Sequence, residues 1–152
     1  MKKIGIITGN LKKEQTGIGI YTFELLNNFV NNEDIFTIKH SSGDSKENYE
    51  SIVINFPSKR FFSLLWSIGL IIFRKKLKSF DIIHNPAQYP VLPFFGKKYI
   101  ATIHDIIPIL FPEMVGKIHG LAFKFYIPII LKKSTKIITD SHSTKNDIIN
   151  LF

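Results

Sequence analysis

Cysteine is absent from the 152 residues. That excludes disulfides and any metal site built on thiolates, and it leaves the redox compartment unreadable. Long apolar runs are missing too. The longest, Phe61–Phe73, covers thirteen residues broken by Ser63, Ser67 and Gly69. As a helix it would span about 20 Å, short of the roughly 30 Å hydrocarbon core, so a transmembrane protein is not expected. Met1-Lys2-Lys3 opens like a basic leader, but the apolar stretch after it halts at Thr8-Gly9-Asn10. A strand is expected there, not a secretory signal. Internal repeats, low-complexity tracts and linker-like segments are likewise lacking.

Acidic residues are scarce in one part only. Residues 1–50 hold six Lys against seven Asp or Glu, whereas residues 51–152 hold fourteen Lys or Arg against five, for a net charge of +8. A basic back half fits nucleic acid, anionic lipid or a phosphorylated small molecule, and equally a solvated lysine surface. What is present is a globular composition: 45% apolar, 21% charged, with 14 Phe and 5 Tyr. That length and balance suit one folded domain with a sizeable core.

Strand and helix patterns alternate along the chain. Lys3–Thr8 reads as a buried strand, and Ile18, Tyr21, Leu25, Leu26, Phe29 and Val30 recur at helical spacing. Strands are expected at Ile35–Lys39, Ile52–Asn55, Asp81–His84, Tyr99–Ile103 and Lys136–Thr139. Helices are expected from Pro57 to about Lys78, from Lys117 to Lys133 with a kink at Pro128, and after a cap at Ser141 or Ser143. The alternation implies a parallel sheet covered on both faces: a doubly wound, Rossmann-like α/β domain over residues 1–152. Ligands bind such sheets beyond the carboxyl ends of the strands. Attention therefore falls on Gly9–Gly19, Asn55–Ser58, His84–Tyr89, His104–Pro108 and Asp140–Lys145.

Each of these segments carries two readings. Thr16-Gly17-Ile18-Gly19 would let a helix N-terminus approach an anion, or is a plain turn capped by Thr16. It is not the dinucleotide fingerprint, because Thr22 stands where the third glycine belongs. His104-Asp105 closes a strand and enters the proline-stiffened apolar loop Ile106–Glu113. There the carboxylate can orient the ring or hold a substrate hydroxyl, or the pair is a strand cap and an Asx-turn. Asp140-Ser141-His142-Ser143 caps a helix and is free to touch a ligand as well. No third ligand joins His84 and His104, so no metal is expected. The Phe61–Phe73 run, between Lys59-Arg60 and Arg74-Lys75-Lys76-Lys78, is either a buried helix or one resting on an anionic membrane. Nucleic acid is not expected, because the aromatics do not interleave with the lysines.

Together these motifs resemble a known family. Lys3–Thr8, Gly17-Ile18-Gly19 before a helix with Tyr21, Asp81-Ile82-Ile83-His84, Thr102-Ile103-His104-Asp105-Ile106-Ile107-Pro108 with Phe111-Pro112-Glu113, and Ile137–Ile148 are similar, in order, to segments of family 4 (group 1) glycosyltransferases. The resemblance implies the N-terminal, acceptor-side domain of a two-domain retaining enzyme of hexosyltransferase type. Such an enzyme moves a sugar from a nucleotide-sugar to a glycan or lipid-linked acceptor in polysaccharide or glycolipid synthesis. It further implies His104 and Asp105 as catalytic candidates and Gly17, Gly19, Asn85, Ser141 and Ser143 as substrate-binding candidates. Arg74, Lys75 and Lys76 are the membrane-docking candidates. No cofactor or metal is expected, since side chains and helix dipoles neutralise the leaving diphosphate. The expected location is cytoplasmic, with peripheral contact on the inner face of the membrane.

One departure stands out. The cationic residues and paired-Glu motif of the family's C-terminal, donor-binding domain have no counterpart in the sequence. The expectation is a truncated or split enzyme that is catalytically incomplete alone, needing its other domain in cis or in trans. The competing expectation is a stand-alone Rossmann-like binding or regulatory module for a phosphorylated ligand or a protein partner.

Overall fold

Short isoleucine-rich runs dominate the strands because a strand buried on both faces has no polar alternation to show. A computed structural model describes residues 2–9, 16–29, 33–39, 49–54, 73–88, 91, 93 and 96–152. Strand β1 (Ile4–Gly9) leads to helix α1 (Gly17–Asn27), then β2 (Ile35–Lys39) and β3 (Ser51–Val53). A 3₁₀ helix, Phe73–Ser79, precedes β4 (Ile82–Asn85) and β5 (Lys98–Ile103). Two single-turn helices follow, α2 (Ile107–Leu110) and α3 (Pro112–Val115). Helix α4 (Lys117–Lys133), β6 (Lys136–Thr139) and α5 (His142–Leu151) complete the order.

All five strand pairings are parallel, in the order β3-β2-β1-β4-β5-β6. The chain builds outward from β1 on one side, then returns to build outward on the other. The order therefore reverses between β1 and β4, the place where open α/β sheets form their ligand crevice.

Adjacent residues of β1 face opposite layers, as a period of two requires. Ile6 packs with Phe23, Leu26, Ile35 and Tyr49, so α1 covers that face. Ile7 packs with Ile38, Leu77, Phe80, Ile83, Tyr126, Ile127 and Ile130, which brings the 3₁₀ helix and α4 onto the other face. Two phenols inside this core are bonded: the Tyr99 hydroxyl donates to the Val91 carbonyl at 2.9 Å, and Tyr49 donates to the Leu26 carbonyl. Burial pushes both phenols above their usual range. The doubly wound α/β class expected from the sequence is thus the observed one.

Several local expectations need correction. Ile106–Glu113 is not a plain loop but contains α2 and α3, each with proline in its first turn. Proline suits that position because its φ is preset and the amide it lacks would have had no helical partner. The described end of the expected Pro57–Lys78 helix is a 3₁₀ helix, and residues 55–72 lie outside the described residues. Its docking candidates Lys75 and Lys76 are exposed, while nothing is described of the Arg74 side chain. Helix α4 has the expected bounds, Lys117–Lys133, with Pro128 inside it.

The segment that follows β5 is held by a close approach. A Cβ on Gly120 would lie 2.7 Å from Pro112 Cβ and 2.8 Å from the Pro108 carbonyl oxygen, so only glycine lets α4 press on α2 and α3. Gly120→Ala should therefore destabilise the chain by about 1–3 kcal/mol, outweighing the roughly 1 kcal/mol that alanine gains as a helix former. Urea unfolding checks this, and an unchanged or raised midpoint would show that the contact relaxes at no cost.

Candidate functional site

The strands end together, so the residues just past β4, β5 and β6 meet at one edge. His104, the first residue after β5, is the centre of that meeting. Its Nδ1 lies 2.9 Å from Asp140 Oδ2, past the end of β6, and its Nε2 lies 2.7 Å from the Pro86 carbonyl oxygen, past the end of β4. Both oxygens are acceptors, so the two bonds are made together when both ring nitrogens carry hydrogen. From α1, Tyr21 meets the ring edge-on at 5.0 Å between centroids. The His104 side chain keeps only 10% exposure, against 42% for Asp140.

The backbone around the ring is fixed as firmly. Gln88 accepts the His104 N–H at 2.9 Å through Oε1 and donates from Nε2 to the Asp105 carbonyl at 2.8 Å. A buried Gln that spans both groups extends the β4–β5 pairing with a side chain where the backbone ladder has stopped. Gln88 holds φ at +51°, uncommon for a residue with a Cβ. Thr144 of α5 donates its hydroxyl to the His104 carbonyl at 2.8 Å. Its N–H is received by the Ser141 Oγ at 3.0 Å, which caps the helix.

The sequence-derived candidates take distinct places. Asp105 is adjacent to His104 in sequence, but the carboxylate on the ring is that of Asp140. Asp105 Oδ1 instead accepts the Ile107 N–H at 2.9 Å, an Asx-turn that starts α2. Ser141 is exposed and serves as the cap of α5, and Ser143 is exposed beside it. Thr16 caps α1 by accepting the Gly19 N–H at 2.9 Å, while Gly17 is exposed at the same helix end with nothing within 4 Å of where its Cβ would be. Asn85 corrects an expectation. It is 0% exposed and its side chain hydrogen-bonds the Tyr99 and Tyr126 hydroxyls, so it is not available to a ligand.

Gln88, Asp140 and Thr144 fall inside the strand-end segments His84–Tyr89 and Asp140–Lys145, but none of the three was assigned a role in the site. Asp140 alone had a visible signal, a carboxylate directly after a strand at the expected edge. Among the described residues, no group of three His, Asp or Glu could hold a metal ion, and no helix is long and apolar enough to cross a membrane.

A doubly wound parallel sheet with helices on both faces defines an α/β domain of Rossmann-like architecture. No protein-family model matches the sequence, and no curated protein matches it. Among solved structures, the chain is similar to the crystal structure of Anabaena Alr3699/HepE in complex with UDP and glucose. The TM-score is 0.68 at 12% identity, with 99% of this chain covered. The chain spans 41% of the length of that protein. At this identity the likeness establishes a shared fold.

Two outcomes follow from this geometry. Gln88→Ala should cost about 1–3 kcal/mol, the range for leaving buried polar groups unpaired. Gln88→Gly should cost less, because glycine adopts the positive φ freely. Equal stability of wild type and both variants in urea would show that the clamp contributes nothing. Burial also pushes the His84 imidazole down to about 4 from 6.5. Between those pH values the unfolded chain takes up a proton that the folded chain refuses, so stability is full above about pH 6.5 and falls toward pH 4. The loss is roughly 3 kcal/mol across that window. His84→Gln should flatten that limb of a stability–pH curve, and a limb as steep as that of wild type would exclude His84 as its source.

Proposed function

We propose that this chain is the acceptor-side domain of a retaining hexosyltransferase that uses a nucleotide-sugar donor. One observation carries the reading: the polar edge around His104 sits at the carboxyl ends of β4, β5 and β6 in a domain that aligns over 99% of its length with a protein crystallised with UDP and glucose. The order of the sequence motifs, Gly17-Ile18-Gly19 before α1 and His104-Asp105-Ile106-Ile107-Pro108 after β5, supports the same assignment.

In this reading the edge beside His104 and Asp105 faces the donor sugar and the acceptor, and the amides at the start of α1 face a phosphate. Ser141 and Ser143 line the same edge. The acceptor is a glycan or a lipid-linked glycan, and the basic stretch at Arg74, Lys75 and Lys76 would rest on the anionic inner face of the membrane. The reaction needs no metal, and a second domain supplies the cations that hold the diphosphate. The 152 residues alone then bind without turning over, because transition-state contacts to the leaving group are missing.

The test pairs two assays. The 152-residue chain, incubated with a panel of UDP-sugars and lipid or glycan acceptors, should transfer nothing. Joined to a donor-binding domain it should transfer sugar with retention at the anomeric carbon, and His104→Ala should lower kcat/KM by an amount equivalent to about 2–4 kcal/mol. Robust transfer by the chain alone would overturn the two-domain reading. Absence of sugar transfer by the joined protein would overturn the assignment as a whole.

A further inference from the structure

Most polar side chains at the carboxyl edge are already committed to the protein. Both ring nitrogens of His104 have partners, and Gln88 is engaged at both ends of its amide. Asp105 gives one oxygen to its own turn, Ser141 caps α5, and Thr144 holds the His104 carbonyl. Asp140 differs. Its side chain is 42% exposed, and among the described residues its one hydrogen-bond partner is the His104 ring, on Oδ2. A carboxylate offers about four acceptor positions, so acceptor capacity remains open at the edge where sheets of this kind take ligands.

We propose that Asp140 is a ligand-hydroxyl acceptor at this edge, and that His104 is its positioning residue. The His104 ring, anchored on the Pro86 carbonyl and set against Tyr21, fixes where the carboxylate points. The chemistry recognised is that of sugar hydroxyls, which donate to a carboxylate through charge-assisted bonds. Phosphate is disfavoured at the same place, because the open positions of Asp140 are acceptors and a phosphate oxygen is an acceptor as well. Asp140 thus meets the hydroxyl-bearing part of a ligand and not its anionic part. The assignment deepens the transferase reading and takes the sugar from it, but binding at Asp140 does not require transfer.

Heteronuclear NMR on the 152-residue chain tests this, with the Asp140 amide and the His104 ring as reporters. The chain is titrated separately with glucose, UDP-glucose, UDP and inorganic phosphate. Glucose and UDP-glucose should move both reporters, and phosphate should move neither. A response to UDP as strong as that to UDP-glucose would place the ribose at Asp140, which keeps the hydroxyl site and changes its source. Asp140→Ala and Asp140→Asn should weaken the glucose response about ten- to a hundredfold, the loss that a charged hydrogen bond implies, with the remaining amide spectrum unchanged. Asparagine keeps the shape of the side chain, so it reads the site even if the alanine variant unfolds. Undiminished binding in Asp140→Asn, no response to any hydroxyl-bearing ligand, or a response to phosphate alone would overturn the proposal. Asp140-dependent sugar binding without transfer by the joined protein would overturn the transferase reading and leave this site standing.

Discussion

Parallel pairing brings every strand of this sheet to a halt on one edge, where the backbone groups past each strand end lose their ladder partners. The rest of the site depends on how those groups are satisfied. Gln88 takes the His104 N–H and the Asp105 carbonyl, Thr144 takes the His104 carbonyl, and the Asp105 side chain takes the Ile107 N–H. Two segments far from it in sequence, the exit of β4 and the start of α5, are thereby tied to the end of β5. A ring held at both nitrogens, on a backbone held on both sides, is set before any ligand arrives, which is what a precise binding edge needs.

The cost of this arrangement is local. Gln88 sits at a positive φ that would suit glycine or asparagine better, and such a residue persists when its surroundings over-determine it. Here the surroundings are the two bonds of its own side chain. Glycine would relax the backbone and lose the clamp, whereas alanine would keep the strain and lose it too. Gln88 therefore couples the conformation of the β4 exit to the position of His104.

How far these features could be read in the sequence follows from the physics of each. The buried strands were legible because a parallel strand covered on both faces is a short apolar run, and Ile35–Lys39 and Lys136–Thr139 have the bounds expected. His104 was legible as a polar residue at a strand end. Its partner was not, because the bond to Asp140 joins residues 36 apart, and adjacency favoured Asp105. Asn85 was misread for a related reason. The expected strand stopped at His84, yet β4 runs one residue further, and that residue turns its side chain into the core. Gln88 carried no signal at all, since its conformation is set by bonds to residues that follow it by 16 and 17 positions.

The topology also settles where the excess positive charge lies. Lys3 precedes β1, Lys98 and Lys136 open β5 and β6, and Lys132 and Lys133 close the helix that feeds β6. These residues therefore lie at the amino edge of the sheet, about 20 Å of strand away from His104 along β5. On the carboxyl side stand Lys39, which is buried, Lys145 of α5 and Lys117, which opens α4. Asp105 and Asp140 stand at the same edge. In the proposed reading an anionic group is favoured at the start of α1, by the positive end of its dipole. Gly17 is four residues before Tyr21, about 6 Å along the helix, and the Tyr21 ring touches His104. In the proposed reading a phosphate beside α1 and a hydroxyl at Asp140 are therefore separated by the Tyr21–His104 pair. One nucleotide-sugar would span that separation, and in the same reading a second domain supplies the cations that stabilise its departing diphosphate.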